Sequence, residues 1–199
     1  MDRKPRKRDK EASKQALLRA GLEVFSKYGY DAATTKAVAA EAGLNEQLIT
    51  RYFGGKAGLL FAVLAAFVEE EASDENYPPA ASSAGEEIGQ FLLHRHRRFL
   101  ELQEFFRTFV PRIILDASIR DRLEPLLLQE AAVLRDRLSD LQKRHLIAKD
   151  ADVEAVSLIV SGQSFFISFM LRVSTNRDDA QLRRLLSEFA AYMARALAL

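Results

Sequence analysis

Apolar residues recur every three or four positions along most of this chain, and nowhere alternate strictly over a useful length. That period belongs to helices with one buried face, so every element read here is helical. The first spans about Lys10–Tyr28, with Ala16, Leu17, Ala20, Val24 and Phe25 facing inward. Two short helices occupy 34–42 and 45–53, and a fourth runs from Gly58 to about Ala72. The segment 74–83, DENYPPAASS, is rich in helix breakers and reads as a loop. Helices at 84–102, 104–117 (bent at Pro111) and 119–145 come next, with Pro125 tolerated in a first turn. The closing pair covers 152–173 and 178–197. The fold class is all-α, about nine helices, without internal repeats.

One stretch has more detailed punctuation. In TTKAVAAEAGLNEQLITRYFGGK, Thr34–Lys56, a threonine caps a short helix by offering an oxygen to unpaired backbone N–H groups. Val38, Ala39 and Ala42 are small enough for close helix packing, and Gly43 ends the helix where a left-handed residue costs least. Leu44 turns inward and Asn45 caps the next helix. On that helix Leu48, Ile49 and Phe53 face inward, while Gln47, Thr50, Arg51 and Tyr52 project outward. Taken alone this is a helical hairpin, but a short helix with a hydrogen-bonding outer face also suits the major groove of DNA. A basic arm (Arg3, Lys4, Arg6, Lys7, Arg8, Lys10) and Lys56 flank it.

Phe25-Ser26-Lys27-Tyr28-Gly29-Tyr30, Thr34-Thr35, Val38-Ala39, Ala42-Gly43, Tyr52-Phe53, Lys56 and Leu59-Leu60 agree in order and register with a known pattern. Over about Lys10–Phe67 the chain resembles the N-terminal domain of TetR/AcrR-type transcriptional regulators. It departs at Gln47, where the family usually has a small residue, and at Thr50, where it has an aromatic. It departs again at Ala57-Gly58, in place of an acidic pair. The first two departures fall on the presumed reading face and alter which bases are read. The resemblance implies an N-terminal helix-turn-helix domain and a C-terminal helical ligand-binding and dimerisation domain. The boundaries are 1–9 for a flexible basic arm, 10–70 for the DNA-binding domain and 71–199 for the remainder.

Charge follows the same division. Net charge is only +1, yet residues 1–56 carry 12 Lys and Arg against 7 Asp and Glu, leaving the rest at −4. Basic charge is thus concentrated where phosphates would be met. The absence of cysteine excludes disulfides, thiolate metal sites and thiol nucleophiles, and fits a reducing cytoplasm. The N-terminus is too charged for a signal peptide. Residues 155–171 are uncharged, but 17 residues with four serines fall short of a membrane span and read as a buried helix of a soluble bundle, with no membrane partner.

Ser157, Ser161, Ser164 and Ser168 form one helical stripe, and Leu185, Phe189 and Met193 lie on the broad apolar face of the last helix. Periodicity alone fits packing within one subunit. The resemblance implies instead that these two helices form a homodimer interface, placing two reading heads about 34 Å apart on a palindromic operator. Phe99, Phe105, Phe106, Phe109, Phe166 and Phe169, with Gln163, are either ordinary core or the lining of a pocket for an apolar or aromatic effector.

Enzymatic chemistry finds no support. His94 and His96 stand two apart on a helix and diverge, and His145 sits near a helix end. No phosphate-binding glycine loop or nucleophile motif is present, and no cofactor is implied. The reading is a transcriptional regulator, a repressor, contacting double-stranded DNA through Thr34, Thr35, Asn45, Gln47, Thr50, Arg51, Tyr52 and Lys56 and released by a small molecule. A helix-turn-helix protein without effector control and a helical ligand-binding protein with an incidental basic arm are the alternatives.

Overall fold

The computed structural model describes residues 7–72 and 77–198, and among them every regular element is a helix. They are α1 (Lys7–Ala32), α2 (Thr35–Glu41), α3 (Gln47–Phe53), α4 (Lys56–Ala72), α5 (Ala84–Glu101) and α6 (Gln103–Leu115). Then come α7 (Ala117–Arg120), α8 (Leu123–Lys143), α9 (Val153–Phe165), a π-helical segment (Phe166–Leu171), α10 (Arg172–Ser174) and α11 (Asp179–Ala196). Of the basic arm, residues 1–6 lie outside the described residues, whereas Lys7–Asp9 already belong to α1. Gly29, at φ 74° and ψ 166°, breaks α1 next to the end expected at Tyr28. Pro111 lies inside α6, and Pro125 sits in the first turn of α8, where the absent N–H costs nothing.

The chain forms two compact units, Met1–Glu70 with Glu104–Leu123, and Glu71–Gln103 with Glu124–Leu199. Residues 104–123, expected in the C-terminal domain, therefore join the first unit. The reasons are specific contacts. Phe106 meets Phe67 edge-on at 5.7 Å, Thr108 donates to the Phe25 carbonyl, and the Arg122 guanidinium lies 3.9 Å from the Phe61 ring centre. The core of this unit contains Leu17, Phe25, Ile49, Leu59 and Leu60, all fully buried, with Phe105, Phe109 and Ile119.

In the second unit α5 and α11 pack along each other, and α5 also packs against α9 and the π segment. Ile88, Phe91, Leu92, Leu134, Leu138, Val160, Leu182 and Leu186 form its apolar core. Polar groups are set into that core. Arg95 is almost fully buried, donates to Ser164 at 2.8 Å, pairs with Glu130 and lies over the Phe91 and Phe99 rings. Glu87 accepts from the Ala81 N–H and from Arg137, tying the loop before α5 to α8. His96 is buried with Nε2 2.9 Å from Asp179 on α11. Bonds from Arg183 and then His96 hold the Asp179 carboxyl below its usual range.

The long apolar helix differs from expectation. Val153–Ser174 is one 22-residue run, long and apolar enough by composition to cross a membrane, but 39% of its most apolar window is buried. Only one face points inward, so it is a half-buried helix rather than a buried one. Ser157, Ser161, Ser164 and Ser168 lie on that inner face, all buried, while Leu158, Ile159, Phe166 and Val173 are exposed. The serine stripe thus packs inside its own unit.

Candidate nucleic-acid interface

The reading head is built from capped ends and tight turns. Thr34, extended at φ −118° and ψ 151°, accepts from the Ala37 N–H at 3.0 Å and starts α2. Gly43 takes φ 64°, and the Leu44 N–H then reaches back to the Ala39 carbonyl at 2.9 Å, closing the helix end. The Asn45 side chain accepts from the Gln47 N–H at 2.8 Å and so fixes the start of α3. Ile49 anchors α3 in the core at 0% exposure, with Leu48 and Phe53 half-buried. Gly54, left-handed at φ 76°, ends α3 and leads into α4.

This scaffold presents Asn45, Gln47, Thr50 and Arg51 to solvent along α3, with Thr34 exposed at the start of α2. Their placement is the outward face read in the sequence. Tyr52 is half-buried: its ring meets Phe53 edge-on, and the Lys10 ammonium lies 5.9 Å from its centre. Lys10 of α1 and α3 are therefore neighbours. The Thr35 hydroxyl donates to Glu46 Oε1 at 2.5 Å, so in this structure it braces the start of α3.

Lys56 is also engaged within the unit. Its Nζ donates to the Asp31 carbonyl at 3.3 Å and lies 4.4 Å from the Tyr30 ring centre. Burial lowers the Lys56 pKa from its ordinary value, Arg112 adds to that, and Asp31 opposes it. Burial likewise raises that of Tyr30. Sequence reasoning missed three residues here. Lys36 is exposed next to Thr35, and a lone lysine on a short helix is a weak signal. Glu46 is exposed at the start of α3, and Arg112 arrives from 81 residues away.

Residues 17–63 match the profile of the bacterial regulatory proteins, tetR family. The reading head is a tetR-family one. Solved structures extend the likeness beyond these residues to the full fold of the chain. A TetR-family transcriptional regulator from Mesorhizobium loti superposes with a TM-score of 0.68 at 14% identity, covering 96% of this chain and 98% of the other. One from Rhodococcus sp. gives 0.71 at 17% identity, over 92% and 98%. The fatty acid degradation regulator FadR from Bacillus halodurans gives 0.67 at 14% identity, over 98% and 97%. At such identities the likeness establishes a shared fold. None of the curated proteins matches this chain in sequence.

The residues read as a ligand pocket are shared between the two units. Phe105, Phe106 and Phe109 belong to the first unit, where the rings of Phe105 and Phe109 stack at 5.8 Å. Phe99 and Phe169 are buried in the second unit and both contact Phe165. Gln163 and Phe166 are exposed, the latter at 48%. The wider turns of the π-helical segment rotate Phe166 away from Phe169, which an ordinary helix would keep closer to one face. Leu185 is exposed, and Phe189 and Met193 are half-buried, on α11.

Proposed function

We propose that the protein is a transcriptional repressor that binds a palindromic operator as a homodimer and is released by a small apolar or aromatic ligand. The observation that carries this reading is the outer face of α3, where Gln47, Thr50 and Arg51 are exposed on a helix capped by Asn45 and anchored by Ile49. Arg51 has the donors to read a guanine edge, Gln47 those for adenine, and Thr50 a methyl for thymine. Thr34 at the start of α2 and Lys56 at the start of α4 supply phosphate contacts, with Lys36 beside them.

A dimer is supported by the outward apolar residues of the second unit. Leu158, Ile159, Phe166 and Val173 on one helix, and Leu185 and Tyr192 on α11, are all exposed. Apolar surface of this kind on helices points to a protein partner, and a second copy would place two reading heads on two half-sites. The effector belongs to the second unit, whose buried Arg95 and serines, with the partly buried Glu130, supply polar anchors among phenylalanine rings. The fatty acid degradation regulator among the structural relatives favours an apolar ligand.

Selection of binding sites from random duplexes tests the reading directly. A palindromic consensus is expected, and the absence of any enriched sequence would overturn it. On the selected site, Arg51→Ala is expected to cost about 2 kcal/mol while changing affinity for random duplex little. Lys56→Ala is expected to weaken binding to all sequences and to reduce the salt slope by about 0.9 per subunit. Fluorescence anisotropy across a salt series checks both.

A further inference from the structure

The corner between α1 and α2 is held by a residue remote in sequence. Arg112 of α6 places its Nη2 2.5 Å from both carboxylate oxygens of Asp31, and its guanidinium lies 4.6 Å from the Tyr30 ring centre. Lys56 lies over the same ring and donates to the main-chain carbonyl of the same Asp31. One turn along α6, Thr108 donates to the Phe25 carbonyl. Tyr30 and Asp31 follow directly on Gly29, whose positive φ breaks α1 and aims this corner.

Asp31 is 85% exposed, so the ion pair is not what buries the corner. Exposed single pairs contribute little to stability. Its geometry does something else. Two cations lie within 5 Å of the centre of one aromatic ring, and like charge keeps them apart, so Lys56 has a restricted set of positions as long as Arg112 is pinned by Asp31. Lys56 opens α4 directly after the turn that ends α3. Whatever sets its direction also sets how its charge meets a phosphate.

We infer that Arg112 is a positioning residue for DNA binding, orienting Lys56 and the α1–α2 corner through Tyr30 and Asp31. The inference rests on the DNA-binding reading given above.

The test uses the full-length chain, a mixed-sequence duplex and the duplex recovered by selection. Arg112→Gln and Asp31→Asn are each expected to weaken binding to both duplexes about tenfold, with helical content and the thermal midpoint nearly unchanged. In a Lys56→Ala background Arg112→Gln is expected to have little further effect, because the group it positions is gone. Arg112→Lys, which keeps a cation beside Tyr30 and within reach of Asp31, is expected to retain most of the affinity that Arg112→Gln loses. Asp31→Asn, at an exposed position, keeps the test valid if Arg112→Gln folds poorly. Wild-type affinity and salt slope in both single variants would overturn the inference alone. So would full additivity of the Arg112 and Lys56 effects. A wild-type chain that binds neither duplex overturns the functional reading and this inference with it.

Discussion

Gly58→Ala is expected to abolish specific DNA binding and to cost about 3 kcal/mol or more of stability. A Cβ built on Gly58 would lie 1.7 Å from the Phe53 carbonyl oxygen and 2.9 Å from the carbonyl carbon. Those atoms are backbone at the last residue of α3, so no rotamer change relieves the overlap. Either α3 swings away from α4 or the first turn of α4 opens, and both displace Gln47, Thr50 and Arg51. Ala57→Gly, one position earlier, introduces no such overlap and serves as the control. Urea unfolding and duplex titration read the two effects separately. Wild-type midpoint and affinity in Gly58→Ala would show that the turn between α3 and α4 is looser than the close approach implies.

The second large effect is expected at the outer face of Val153–Ser174. Ile159→Asp combined with Phe166→Asp should yield a monomer and reduce affinity for a palindromic duplex by about 10²–10⁴-fold, as linked binding is lost. Affinity for an isolated half-site should change little, since neither residue belongs to the unit that carries α3. Both side chains are about half exposed, at 53% and 48%, so a carboxylate there stays hydrated in the separated subunit. Ser161→Asp on the opposite face is the contrasting variant. It would bury a charge in the packed side of the helix and is expected to destabilise the fold itself. Sedimentation and titration of full and half sites distinguish these outcomes. A dimer surviving both aspartates would remove this face from consideration.

The parts of the fold that were legible in sequence are those written in neighbouring residues. The Thr34 cap, the Gly43 turn and the Asn45 cap each rest on chemistry within three or four positions, and each is present. Gly58 was visible as a departure from the family pattern, but its cause, a backbone atom five residues back in another helix, was not. Periodicity grouped the four serines correctly on one face and could not say what that face meets. It failed for Phe166 because the helix changes its winding just there. Arg95 was passed over since a fully buried guanidinium is rare, and nothing near it in sequence announces Glu130, Phe91 and Phe99 as its company. The packing of residues 104–123 with the first unit was hidden for a similar reason. Their partners, from Phe25 to Phe67, lie some forty to eighty positions upstream.

That last arrangement bears on any attempt to graft the reading head onto another protein. A fragment cut after Glu70 would carry all of α3, yet it would bare the aromatic surface around Phe67 and leave Asp31 and the Phe25 carbonyl without their long-distance ligands. The head is not a detachable cassette. Transplanting it requires splicing in the distant strip Glu104–Leu123 as well.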